Sequence, residues 1–298
     1  MNQKIIKHYL EFSQYTYSGL YQDVLRKNLP DDIRKIGELV RKQIIHRTTL
    51  EAGNMGTNTD KRFGDMAKVP WYRQPEDDVF VTASAIVAEL YRRDKRGFVN
   101  DRLGKDKLIL TCRFVAVLMA SILKSKGIPC RIRSGNAPYF DMGKLGKVSA
   151  DHWVNQYWNY KEERWVTIDV DGSWSLNDDF DPYDIPSEKF DYPADAWLNI
   201  RKKKDDPNRF WNAKPERGAI VVLWSLFYDF HCLMNSEITY IHVPELAMYG
   251  KFGKLSEKEL KEIDNLAQLM QNPDANFSKL QHLWDTSKKF RLLKGGLL

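Results

Sequence analysis

Cysteine is scarce in this sequence. Three residues in 298, Cys112, Cys130 and Cys232, occur with no close pair among them. That excludes a disulfide-stapled scaffold and predicts a reducing, cytoplasmic setting. There is no Cys-x-x-Cys and no His-Glu-x-x-His, and neither a Walker loop nor a dinucleotide-binding fingerprint occurs. The expectation is therefore no cofactor and no metal. Long hydrophobic runs are missing too. The best stretch, Ala219 to Phe230, is interrupted by Ser225 and Asp229 and is too short to cross a bilayer. The first nineteen residues break their apolar positions with Lys4, Lys7, His8 and Glu11, unlike a signal peptide. Charge of one sign is also weak. The net charge is +6, and the run Lys202-Lys203-Lys204 is answered at once by Asp205 and Asp206. No continuous basic stripe argues for nucleic acid, and nothing argues for a membrane partner. Internal repeats and low-complexity tracts are absent.

What remains is an ordinary globular composition, 43% hydrophobic and 29% charged, long enough to bury a core and rich in Trp and Tyr. Asp31-Asp32 opens a helical pattern in which Ile33, Ile36, Leu39, Val40, Ile44 and Ile45 recur at three and four. Glu51 to Pro75 reads as a long irregular loop, and a second helix is predicted from Thr82 or Ser84 to Arg92. Thr111 to Lys126 is a third, stopped by Gly127-Ile128-Pro129. Three strands are predicted next: Cys130 to Ser134, His152 to Tyr160 and Arg164 to Val170. Lys161-Glu162-Glu163 is the turn between the last two. Asn177 to Tyr192 reads as an ordered loop, after which buried helix 219–234 and amphipathic helix 255–270 follow. Helix first and antiparallel sheet second is α+β order. The expected layout is a single domain over 1–298. It has a helical N-terminal region and loop at 1–75, a catalytic core at 76–176 and a mainly helical extension at 177–298.

Three residues carry chemistry. Thr111 is a fair N-cap, which puts Cys112 in the first turn of its helix, where unpaired N–H groups and the helix dipole favour a thiolate. A thiolate nucleophile needs a base and a group that orients the base. His152 at one strand start and Asp169 at the adjacent strand end can supply both. Taken singly, a Cys in an apolar helix or a His beside Trp153 is an unremarkable packing residue. The joint arrangement is what points to catalysis.

Residues 111–135, TCRFVAVLMASILKSKGIPCRIRSG, resemble the nucleophile helix of the transglutaminase-like superfamily, with its opening Cys and its Gly-Ile-Pro-x-Arg ending. DHWVNQYW from Asp151 is similar to that family's histidine strand, and RWVTIDVDG to its aspartate strand, with Trp165 four residues before Asp169. The order Cys, His, Asp is the family's order, and the likeness covers about residues 108–172. Leu110, Arg113-Phe114, Val154 and Val170 depart from the family pattern, which marks a divergent member. The resemblance implies a papain-like α+β core and acyl transfer at an amide bond of a peptide, protein or small amide. Cys112 would be the nucleophile, His152 the acid–base and Asp169 its orienting carboxylate. The Cys112 N–H is the natural oxyanion donor, with Trp71 and Gln74 as upstream candidates. Trp71, Tyr72, Trp174 and Tyr183 are candidate groove walls, and Trp153 a further candidate near the site. Hydrolysis is favoured over cross-linking, because nothing identifies a second, amine-binding site.

Competing readings are weaker. VTIDVDGS fits a phosphatase strand, with Asp169 as phosphoryl acceptor, but no later acidic strand end completes it. The calcium-loop start at the same aspartates lacks its later ligands. Cys130 and the His231-Cys232 pair read as core packing. The remaining alternative is a catalytically silent protein that keeps the fold as a binding scaffold.

Overall fold

The computed structural model describes residues 2–47, 68–140, 148–172, 180–212, 216–240 and 242–291. In chain order these form α1 (Gln3–Leu10), α2 (Gln22–Asn28), α3 (Ile33–Lys42), β1 (Ile44–His46), α4 (Ala83–Arg93), β2 (Leu108–Leu110) and α5 (Cys112–Ser125). They continue as β3 (Cys130–Ala137), β4 (Ser149–Asn159), β5 (Arg164–Ile168), α6 (Pro193–Arg201), β6 (Phe210–Trp211) and α7 (Ala219–Leu233). The short α8 (Tyr249–Phe252), then α9 (Glu257–Met270) and α10 (Phe277–Thr286), complete them. The class is α+β, as the order of elements predicts.

The start and stop chemistry is local. Asp32 caps α3 by accepting from the Lys35 amide at 2.9 Å, and Thr82 caps α4 by accepting from Ala85 at 3.3 Å. At the C-terminus of α5, Gly127 takes a φ of +75°, and Ile128 N–H reaches back to the Leu123 carbonyl at 2.9 Å. This left-handed stop is one that glycine adopts without strain. Ser256 and Glu259 complete the capping box of α9 in both directions. The β4–β5 turn is built by Asn159, whose side-chain oxygen accepts from the amides of Lys161 at 3.0 Å and Glu162 at 3.2 Å.

One expected helix is shorter than its periodicity. The pattern from Ile33 runs through Ile45, yet α3 ends at Lys42 and Ile44–His46 is the strand β1. Gln43 causes the switch: its side-chain amide donates to the Leu39 carbonyl at 2.6 Å and the Val99 carbonyl at 2.7 Å. The β-branched pair Ile44-Ile45 then extends, fully buried, parallel to β2, with His46 opposite Leu110.

Contacts divide the chain into two compact units. One comprises residues 6–131 and 154–185. Its centre is α5, buried along its whole length. Around that helix, Lys124 Nζ donates to the Glu11 carbonyl at 2.8 Å and Asn155 Nδ2 to the Ala116 carbonyl at 2.9 Å. The β4–β5 pairing here is antiparallel, running from Asn155 opposite Ile168 to Asn159 opposite Arg164. The other unit comprises residues 1–5, 132–153 and 186–298. Its core is α7, largely apolar as its sequence predicts, with Ser225, Asp229 and His231 as buried polar interruptions. That buried carboxylate receives Arg133 Nε and Nη2, each at 2.8 Å, and the Ser134 amide at 3.1 Å. The order of strands in the larger sheet is β3-β4-β5, with β6 parallel on β4. Among the described residues no helix is long and apolar enough to cross a membrane.

Candidate active site

Cys112 is the first residue of α5 and is buried. Thr111 occupies the N-cap with an extended backbone and makes no side-chain cap bond. Its carbonyl accepts the first helical bonds, from Phe114 at 3.0 Å and Val115 at 3.3 Å. Its own amide is bound by Asp77, whose Oδ1 accepts it at 2.9 Å. Just before that contact, Glu76 lines the same edge of β2: its amide donates to the Ile109 carbonyl and its Oε2 accepts the Ile109 amide, both at 2.9 Å. The segment 76–77 thus pins the residue before the nucleophile candidate. Burial pushes the Asp77 carboxyl up to about 6, against the lowering effect of the Thr111 amide and Arg47.

On the other edge of β2, the parallel register sets His46 opposite Leu110, two residues before Cys112. The turn after β5 reaches the same place. Asp169 is fully buried; its amide donates to the Pro182 carbonyl at 2.8 Å and its Oδ1 accepts from Gly172 at 2.7 Å. That closed turn presents Asp171. Its Oδ1 accepts Arg41 Nη1 at 3.1 Å, and its Oδ2 lies 3.2 Å from His46 Nε2. One side-chain atom each of His46, Cys112 and Asp171 lie within 4.8 Å of one another. The Arg41 guanidinium is buried, which lowers it to about 10, while Asp171 and then Asp169 hold its charge. Cys112 therefore stands beside an imidazole and a carboxylate, and that carboxylate in turn holds a buried guanidinium.

His152 belongs to the other contact unit, within β4 rather than at its start, since that strand begins at Ser149. It is buried, with its ring set edge-on to Phe140 at 4.7 Å and to Tyr139 at 6.5 Å. Trp153, the next residue, packs on Tyr228 at 5.6 Å and Tyr240 at 5.8 Å. Trp71 and Gln74 are exposed, Trp71 edge-on to Tyr72. Tyr183 is buried beneath Arg34, whose guanidinium lies 4.5 Å from its ring, and its hydroxyl sits where a Cβ on Gly37 would fall. Trp174 lies outside the described residues, as does most of the predicted loop 51–75.

Arg41, His46, Asp77 and Asp171 escape a reading by short motifs. Asp171 carries a signal only as part of Asp-x-Asp-Gly, which suggests phosphate or calcium. His46 is hidden because its two preceding isoleucines also fit the helical period.

The profile of the transglutaminase-like superfamily matches residues 106–170. That span holds β2, α5, β3, β4 and β5 together with Cys112, His152 and Asp169. No curated protein matches the chain. A solved structure of a proposed cysteine protease from Cytophaga hutchinsonii is similar over 64% of this chain and 46% of its own. The identity is 13% and the TM-score 0.36. This chain thus spans about half of that neighbour's length, and the likeness is too slight to bear on the site.

Proposed function

Through residues 106–170 the chain belongs to the transglutaminase-like superfamily, and on that premise we propose that it is a cysteine-dependent enzyme acting at an amide bond. The observation that carries this reading is Cys112 itself. It opens a wholly buried helix inside the matched span, its preceding amide anchored on Asp77. The helix dipole and first-turn N–H groups favour negative charge at that sulfur, and the buried helix behind it fixes its position.

In this reading the Cys112 thiolate attacks the carbonyl carbon of a carboxamide or peptide. A C–S bond forms, and charge on the tetrahedral oxygen is met by the Cys112 backbone N–H. His152, as imidazolium, gives its proton to the departing amine as the C–N bond breaks, leaving a thioester. Asp169 orients that imidazole. Water then attacks the thioester, with His152 taking its proton, and the C–S bond breaks to release the acid and restore the thiolate–imidazolium pair. Hydrolysis of a peptide, protein or small amide is the proposed outcome, in a reducing, cytoplasmic setting that leaves the three cysteines as thiols. Trp71, Gln74 and Trp174 are the proposed lining of the substrate groove.

A second reading of the base rests on the cluster around Cys112. His46 and Asp171 form an imidazole–carboxylate couple within 4.8 Å of the sulfur. The test measures iodoacetamide alkylation of native protein by mass spectrometry. Cys112 is expected to label far faster than Cys130 or Cys232, and His152→Ala to slow it by at least about tenfold. Slowing by His46→Ala alone would transfer the role of base to His46. A Cys112 as slow as the other two cysteines in every form would leave a silent scaffold with this fold.

A further inference from the structure

We propose that His46 Nε2, Cys112 Sγ and Asp171 Oδ2 form a binding site for one zinc-class divalent cation, which closes the nucleophile off while it is bound. The three come from the end of β1, the first residue of α5 and the turn after β5, so no short sequence motif announces them.

The donor set comes first. Thiolate, imidazole and carboxylate are the ligands zinc takes in proteins, and thiolate with imidazole disfavours magnesium and calcium. Geometry follows. At ordinary zinc bond lengths a tetrahedral site separates its nitrogen and oxygen ligands by about 3.3 Å and sulfur from either by about 3.6 Å. His46 Nε2 and Asp171 Oδ2 already stand 3.2 Å apart, and the cluster as a whole fits within 4.8 Å. Binding then requires the Cys112 sulfur to close in by no more than about 1.2 Å, the difference between that 4.8 Å span and the tetrahedral separation. Arg41 contributes by holding Oδ1, which turns Oδ2 toward His46.

Charge balances as well. With Cys112 as thiolate, the sulfur and the Asp171 carboxylate carry two negative charges between them and the His46 imidazole is neutral. One divalent ion neutralises the group, and a neutral buried site escapes the cost of an unpaired charge. Binding takes the thiol proton into solvent and leaves the His46 proton on Nδ1. Cys112 and Asp171 are buried, whereas the His46 side chain is 15% exposed, which gives an ion a way in. Three protein ligands leave a fourth position for water, as in zinc sites that exchange their ion.

Ion binding stands on this geometry alone; only the closing of the nucleophile rests on the catalytic reading of Cys112. The test uses the full chain, freed of metal and reduced, titrated with Zn²⁺ against a chromogenic chelator and separately with Co²⁺. One equivalent of zinc is expected, with protection of Cys112 from iodoacetamide and a thiolate-to-cobalt charge-transfer band. His46→Ala should weaken binding by more than about tenfold, a loss at least as large as that of an outer-shell partner. Cys112→Ser should abolish the charge-transfer band, and His152→Ala should leave the zinc affinity unchanged. Because Asp171→Asn strips a buried arginine of its partner and threatens the fold, His46→Gln serves as the second ligand variant. Wild-type affinity in both His46 variants, or an equal loss in His152→Ala, overturns the site. Stoichiometric zinc that leaves the alkylation of Cys112 by iodoacetamide unslowed overturns its role as a block on the nucleophile.

Discussion

Asp77 is the residue on which the start of α5 depends. It binds the Thr111 amide while nearly excluded from water, with Arg47 as its ionic partner at 3.3 Å. Burial raises it from 3.8 to about 6, so the folded chain keeps a proton that the unfolded chain releases earlier. Its contribution to stability is full below pH 3.8 and is lost as the pH rises through about 6. Asp77→Asn keeps an oxygen acceptor for Thr111 and removes the titration. Relative to wild type, this variant should gain on the order of 2–3 kcal/mol between pH 4 and pH 7. Urea denaturation at both values measures it, and parallel stability curves would refute the assignment. The neighbouring cluster teaches a related lesson. Cys112, His152 and Asp169 are legible in sequence because each sits in a recognisable run, whereas His46 becomes visible only through a strand register.

At the level of elements, stops and buried ion pairs carry the tests. Gly127 ends α5 with a positive φ, and a Cβ there would meet nothing within 4 Å. The cost of Gly127→Ala is thus purely conformational, about 1 kcal/mol. A thermal melt showing no loss would mean the turn relaxes to another geometry. In α7, Asp229 breaks an otherwise apolar surface and takes both nitrogens of Arg133 and the Ser134 amide. Asp229→Ala leaves a guanidinium buried without its carboxylate and should cost about 3–5 kcal/mol. Replacing the pair together, Arg133→Met with Asp229→Leu, should recover most of that loss in denaturant titrations. Neither value follows from hydropathy, which marks Asp229 merely as an interruption. Helix caps, by contrast, were readable: Asp32, Thr82 and Ser256 cap with their side chains, and Thr111 takes the N-cap position without a side-chain cap bond. α3 misled at its C-terminus because isoleucine serves a helical face and a buried strand equally well.

For the whole molecule, acid response combines opposing groups. His231 lies buried in α7, its Nδ1 2.7 Å from the Phe227 carbonyl, and burial lowers it from 6.5 to about 4. The unfolded chain takes up that proton first. Its contribution is therefore full above pH 6.5 and is lost as the pH falls through about 4, opposite in sign to Asp77. Relative to wild type, each single variant should tilt the pH dependence of stability its own way. His231→Gln is expected to be less sensitive to acid than wild type between pH 7 and pH 4.5, by up to about 3 kcal/mol. Equal acid sensitivity of the two proteins would show that His231 titrates normally in the fold.

By itself the sequence determined the α+β order, the buried helix that Cys112 opens with its glycine stop, the β4–β5 hairpin and the run of residues shared with the transglutaminase-like superfamily. Each of these is written in neighbouring residues, through periodicity, caps and turn chemistry. Only the tertiary structure decided that Ile44–His46 leaves its helix to pair with β2 and that Asp171 swings back on Arg41. It also decided that an imidazole and a carboxylate from distant segments meet at the Cys112 sulfur. Such contacts depend on strand register and on the path of a turn, and these are settled by the packing of the chain as a whole, which no short window of sequence contains.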